Sequence, residues 1–333
     1  SWLFSEEIPV REEEVQPFES VLDAVFYQEP VPIHLLYRLS DLTADQMTSF
    51  LAGWQVLPDE RRRVVVQHMA DISEENYVVD FGPLFAEFLQ DGFTPVRVAA
   101  LEGLWDSSST RHIEPITRLL QDDESVDVKA AAAAALAHYV MMAEWGELPQ
   151  RISPPIVAAL LAVYEEPETA VSVKRAALEA LAASAHPRVP DLIDEAYEHE
   201  DPEMQLSAVF AMGNTADPRW MSVILDEMQS HSDAMRAEAA RAAGVIGKSD
   251  SVPELAELTM DEAIEVRMAA VYALGQIGGE RPQEILAAIL ADPDQEELHE
   301  MAEEAMEEMM WMGGELDLLD FAGDDDESEF YEN

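Results

Sequence analysis

Apolar residues along this chain recur in short helical stripes, without the strict alternation of a half-buried strand. Between Gly82 and Asp91, the residues Leu84, Phe85, Phe88 and Leu89 fall at i, i+1, i+4 and i+5, one face of a short amphipathic helix. Asp91-Gly92 interrupts the stripe, and Val96, Ala99, Ala100, Gly103 and Leu104 then resume helical spacing, with small residues where two helices must approach closely. The pair predicts a helical hairpin. The same grammar returns in Ile113, Ile116, Leu119 and Leu120 followed by 128–136, then through 156–181, 192–212, 220–245 and 255–277, and ends with 285–290 and 298–310. About seven helical pairs are expected from Gly82 onward.

The second helices share a phrase: Val96-Arg97-Val98-Ala99-Ala100, Val173-Lys174-Arg175-Ala176-Ala177, Met235-Arg236-Ala237-Glu238-Ala239 and Val266-Arg267-Met268-Ala269-Ala270. Arg236 to Arg267 is 31 positions and Arg97 to Lys129 is 32. A period of that length signifies stacked supersecondary units, each burying its apolar face against the next. Asp-Pro at 201–202, 217–218 and 292–293 places a capping side chain ahead of a proline suited to a first turn. Gly213, Gly247 and Gly278 are expected at the ends of second helices. Residues 31–80 are helical but less regular and read as an N-terminal cap, within which Arg61-Arg62-Arg63 is expected to neutralise nearby acids.

Three stretches depart from the period. Lys129 to Lys174 spans 45 positions, and the excess falls around Tyr139, Met141, Met142, Trp145, Gly146, Leu148 and Pro149. It is either a loop offering an aromatic contact site or a lengthening of two packed helices. Residues 1–30 form an acidic, aromatic-rich arm. Residues 81–312 carry the repeats. Beyond them, 313–333 reads as a disordered acidic tail, whose Leu318 and Phe321 alternate with acids as in segments that fold on a partner; a purely solubilising tail is the alternative.

With 69 acidic and 19 basic residues the formal charge is −50, which opposes binding to phosphate backbones and suits a basic protein or peptide. Solubility or a saline cytoplasm accounts for the same surplus. There is no cysteine, so disulfides, thiolate metal sites and cysteine nucleophiles are excluded. No run of about 18 apolar residues and no signal-peptide pattern stand out, so the expectation is a cytoplasmic protein without a membrane partner.

The phrase Val266-Arg267-Met268-Ala269-Ala270-Val271-Tyr272-Ala273-Leu274-Gly275-Gln276-Ile277-Gly278 and its siblings resemble bacterial HEAT-repeat proteins, with HEAT-like repeats of the phycobilin-lyase type, from about Gly82 to Met312. The resemblance implies an all-α, right-handed α-solenoid of helical hairpins. It also implies an Asp-to-Arg ladder linking successive turns. An acid stands six positions before the base in Asp91/Arg97, Asp123/Lys129, Glu168/Lys174 and Asp261/Arg267. The pattern lapses at His199/Gln205 and Ser230/Arg236, where Asp201 and Asp233 are the substitutes on offer.

Members of this fold are mostly scaffolds and adaptors, with some enzymes. The iron-binding His-Glu pairs of deoxyhypusine hydroxylase have two counterparts here in place of four, His199-Glu200 and His299-Glu300, at non-equivalent positions. No bilin-specific motif, Gly-rich phosphate loop, nucleophile elbow or metalloprotease motif is present. The HEAT-like DNA glycosylases use a basic face, which this charge balance opposes. The expectation is a non-catalytic scaffold or adaptor with no cofactor and no metal, holding a basic protein partner. Candidate contacts are Glu102, Glu179, Glu238 and Tyr272 on second helices, with Trp145, Leu318 and Phe321. The alternatives are a HEAT-like enzyme or cofactor-binding protein, and a fold whose acidity only adapts it to salt.

Overall fold

A computed structural model describes residues 16–75 and 78–322, with side chains as far as Trp311. Every regular element among the described residues is helical. The chain divides into two compact units, Ser1–Ala135 and Leu136–Asn333, and the division falls inside one long helix.

The first unit contains α1 (Phe18–Tyr27), the short α2 (Ile33–Leu36), α3 (Ala44–Trp54), α4 (Asp59–Glu75), α5 (Gly82–Phe88), α6 (Thr94–Gly103), α7 (Ile113–Asp122) and the start of α8 (Val126–Glu144). Its core is aromatic. Phe26 meets Phe50 edge-on at 5.3 Å, Phe50 stacks on Trp54 at 5.5 Å, and Trp54 stacks on Phe88 at 4.3 Å. Glycines make room for the rings: a Cβ on Gly53 would lie 2.4 Å from the Phe26 ring, and one on Gly103 would lie 2.3 Å from that of Phe85. Within the arm expected over 1–30, α1 buries Val21, Leu22, Val25 and Phe26. Residues 1–15 lie outside the described residues.

The three arginines that open α4 each have a separate task. Arg61 is buried and donates to the carbonyls of Val25 and Gln28, closing the C-terminal end of α1, while also pairing with Glu29 at 2.8 Å. Arg62 donates to the Leu57 carbonyl and pairs with Asp59 and Asp91, and Arg63 pairs with Glu60. The cluster is internal wiring.

The second unit continues α8 and then runs as sequential pairs: α9 (Ser153–Glu165) with α10 (Val171–Leu181), α11 (Val189–Tyr197) with α12 (Pro202–Asn214), α13 (Met221–Glu227) with α14 (Asp233–Ile246), α15 (Val252–Leu258) with α16 (Ile264–Ile277), and α17 (Glu280–Ala291) with α18 (His299–Ala322). The second helices α10, α12, α14, α16 and α18 pack on one another in that order. Glycine sets their closeness. A Cβ on Gly213 would come within 2.7 Å of the Ala242 Cα, one on Gly244 within 2.8 Å of the Ala273 Cα, and one on Gly275 within 2.7 Å of the Ala305 Cβ. Gly213 is the penultimate residue of α12, at its end as expected, and there it serves as a contact residue in helical conformation. Gly247 and Gly278 do end their helices, with φ of +70° and +67° in the region that a Cβ disfavours. Asp201, Asp217 and Asp292 each accept an amide hydrogen bond at the start of the following helix or 3₁₀ turn.

One expectation changes. The 19-residue α8 does reach the length and composition of a membrane span, contrary to the expected lack of any such run. Its run of alanines makes it apolar, yet Val128, Ala132, Ala133, Leu136, Tyr139 and Val140 are buried in protein. The excess residues near 140 lengthen this helix, leaving a short connection that holds Trp145, 69 % exposed, and Gly146 at φ +80°. At the other end, α18 runs to Ala322. Gly313 and Gly314 lie within it, followed by the helix formers Glu315, Leu316, Leu318 and Leu319 and by no proline. Leu318 and Phe321 sit on this backbone, and 323–333 lie outside the described residues.

Candidate functional site

The repeat register is organised around the basic position of each second helix. Arg236 makes a forked pair with Asp261 of the next repeat, at 2.8 and 2.9 Å, and donates to the Ser230 carbonyl six residues behind it. In the first unit Arg97 does the same with Asp123 and the carbonyl of Asp91, and Arg62 reaches Asp91. Arg267 pairs with Glu297, and Arg175 with Glu203. At Arg97 and Arg236 the six-residue spacing joins the base to a backbone carbonyl, whereas Lys129 reaches the Gln121 carbonyl eight residues back. The carboxylate at the six-residue position belongs to the base of the preceding repeat.

The acidic position has a second, local task. Asp91, Asp123, Asp261 and Asp292 each accept the backbone amide two residues ahead, at 2.8 to 3.0 Å. His199 and Ser230 keep this task at the lapsed rungs: His199 Nδ1 accepts the Asp201 amide at 3.0 Å and Ser230 Oγ accepts the Ser232 amide at 3.4 Å. Gln205, at the base position, still donates to the His199 carbonyl at 2.8 Å. Only the charge is missing there, and it is missing from both Gln205 and Ser230. Neither Asp201 nor Asp233 takes over: Asp201 caps α12, and Arg236 keeps Asp261.

The Arg236 fork holds the Asp261 carboxyl below the usual carboxylate range, and it raises the guanidinium in return. His299 hydrogen-bonds the Asp292 carbonyl at 3.0 Å. Both histidines of the His-Glu pairs are therefore committed to turns. Among the described residues, no group of three or more His, Asp or Glu side chains is arranged to hold a metal.

Counted from the basic position, Glu102, Glu179 and Tyr272 are all at the fifth residue, along with Ala134, Phe210 and Arg241. Glu238 is at the second, where the other repeats carry Ala99, Ala131, Ala176, Ser207 and Ala269. The structure places them accordingly. Tyr272 is 45 % exposed on α16, one turn from the exposed Met268. Glu238 is buried and pairs with Arg241 at 2.9 Å. Glu179 is half-buried and accepts the Ser207 hydroxyl at 2.6 Å, while Arg175 donates to the same hydroxyl. Burial holds the Glu179 carboxyl above its ordinary range, against the pull of Ser207 and Arg175, and the like charge of Glu238 adds to the rise.

Glu102 lies at the rim of a cavity of about 460 Å³ between α4, α6 and α8. Burial raises its carboxyl; a hydrogen bond from Gln67 opposes this, and the neighbouring charges of Asp71 and Glu74 reinforce it. The partly exposed Trp105 also lines this cavity, a feature that neither periodicity nor charge counting singled out.

Residues 221–307 match the family described as HEAT repeats. No curated protein sequence matches the chain. Among solved structures, the chain is similar to YibA of E. coli, at 16 % identity and a TM-score of 0.45, covering 84 % of this chain and 97 % of that one. It is also similar to human deoxyhypusine hydroxylase in complex with glycerol, at 16 % identity and a TM-score of 0.35 over 88 % and 96 % of the two chains. Kap95p, solved with RanGDP, overlaps 88 % of this chain and 50 % of its own, at 14 % identity and a TM-score of 0.35. The matched stretch holds the α13/α14 and α15/α16 pairs, the Arg236–Asp261 rung and the Gly244–Ala273 contact, and over residues 221–307 this chain carries HEAT repeats.

Proposed function

We propose that this protein is a non-catalytic HEAT-repeat scaffold that holds a basic protein or peptide on the exposed face of its second helices. One observation carries the reading: the best-shielded arginines are committed to pairs within the fold, and carboxylates far outnumber the bases that remain. Arg61, Arg62, Arg97 and Arg236 are committed to shielded pairs or carbonyls, and the formal charge is −50. Such a field attracts cationic partners, speeds their encounter and repels phosphate backbones. Tyr272 and Met268 add an exposed apolar contact on α16, of the kind that anchors interfaces.

The test is capture of binding partners from the native lysate at about 50 and 500 mM salt, a range that brackets strong and weak screening. A protein retained at low salt and released at high salt, with weaker retention by Tyr272→Ala, supports the scaffold. Retention indifferent to salt sinks the electrostatic part. Stoichiometric iron in protein purified without chelator, with no partner, would move the assignment to an enzyme.

A further inference from the structure

The cavity at Glu102 lies wholly within the first unit. Its floor is alanine: Ala131 and Ala134 of α8 leave a hollow where larger side chains would fill it. The register makes this specific. At the fifth residue past the base, α10, α12, α14 and α16 carry Glu179, Phe210, Arg241 and Tyr272, whereas α8 carries Ala134. One wall is the indole of Trp105, 42 % exposed, and the rim is formed by Asp71, Glu74 and Glu102. The volume is within the range of about 300 to 1,000 Å³ that small ligand sites occupy.

The lining residues include no Lys or Arg. Gln67 supplies the neutral donor, giving its amide to Asp71 at 3.1 Å, and His68 Nδ1 is 4.0 Å from the same carboxylate. Three carboxylates therefore converge on an apolar, aromatic-walled hollow without a resident strong cation. The acidic segments at either end of this sequence are poor matches for it. Residues 1–29 hold eight acids against the single Arg11, the segment after Arg281 holds no Lys or Arg, and a second copy of the chain brings the same net charge.

We infer that this hollow is a docking site for an arginine side chain carried on a basic partner segment. The guanidinium stacks on the Trp105 indole and donates to Glu102 and Asp71, while its methylene stem lies on the alanine floor. Arginine is favoured over lysine because a planar fork can both stack and bridge two carboxylates. The inference rests on the scaffold reading for its partner and on the cavity for its location.

The experiment uses the full chain and a fluorescein-labelled, amidated tetra-arginine peptide, with binding followed by anisotropy in about 50 mM salt. Three variants are compared with the parent protein: Trp105→Ala, the double variant Asp71→Asn/Glu102→Gln, and a charge-matched control, Glu303→Gln/Glu304→Gln, on the exposed face of α18. Each cavity variant is expected to bind about tenfold more weakly, while the control stays within about twofold and tetra-lysine binds several-fold more weakly than tetra-arginine. Equal weakening by cavity and control variants would show that only the diffuse field acts, and tetra-lysine binding as tightly would remove arginine; either result overturns the inference. Circular dichroism melting checks the fold, and Trp105→Phe, which keeps an aromatic face, should recover much of the affinity.

Failure here and failure of the scaffold reading are separable. A salt-sensitive partner captured equally by Trp105→Ala would leave the scaffold standing and remove this site. Cavity-dependent binding of tetra-arginine without any captured partner would do the reverse.

Discussion

The two units bring helices together by opposite means. In the first, large rings interlock, and glycines at 53 and 103 are the sockets into which Phe26 and Phe85 fit. In the second, glycines at 213, 244 and 275 meet alanines, so that one helix backbone lies against the next. An aromatic core specifies one irregular arrangement through shape, whereas a glycine-to-alanine seam can be copied at each step of a repeat. The aromatic solution suits an end that must close, and the seam suits a stack that must continue.

The largest expected effect comes from removing a ring. Phe88→Ala should cost about 4 kcal/mol, read as a lower denaturation midpoint, because Trp54 and Phe85 cannot refill the space. If the loss were under about 1 kcal/mol, the aromatic core would be mobile and the contrast would weaken. Gly244→Val should cost about 3 kcal/mol, since its Cβ meets the backbone of Ala273, which cannot rotate away as a side chain can. Gly92→Ala has nothing within 4 Å and should stay within about 0.5 kcal/mol, a control for glycine replacement as such.

Arg236→Gln tests whether the seam also needs its rung. It breaks a forked, mostly shielded pair and should cost about 2 kcal/mol near neutral pH. The sign with pH follows from Asp261. Its carboxyl is depressed in the folded state, so the rung contributes fully above the unfolded value of 3.8 and is lost as pH falls through the lower folded value. The difference between parent and variant should therefore shrink only in strong acid.

The smallest effect is expected at Glu179, whose raised carboxyl works in the other direction. Its burial penalty is complete above the folded value and is relieved as pH falls toward the unfolded 4.5. Glu179→Gln, which can still accept the Ser207 hydroxyl, should melt slightly higher than the parent at pH 7, and the two should converge near pH 4.

Helix pairs, Asp-Pro caps and the positive-φ glycines at 247 and 278 were legible in the sequence, because each is decided within a few neighbouring residues. The rungs were only half legible. Their bases and acids stand out, but the partner lies 25 to 29 residues downstream, and the nearer six-residue spacing suggested the wrong carboxylate. Glu238 was expected as a contact on a second helix, yet it stands three register positions before the place of Glu179 and is buried against Arg241. The hollow beside Trp105 was illegible for a different reason: it is made by what the alanines of α8 do not fill.

The neutral rung at Gln205 and Ser230 also bears on how such a chain can change over generations. An acid placed at 230 alone would meet only Arg236, which already serves Asp261 and the Ser230 carbonyl, and a base placed at 205 alone would lack its carboxylate at 230, so each single step gains less than the paired step. Meanwhile Ser230 and His199 keep the hydrogen bond that shapes the turn. Inheritance at these positions is then a matter of couples rather than of individual sites. In related sequences, residues separated by about one repeat should gain and lose charge together, while the turn they enclose keeps its form.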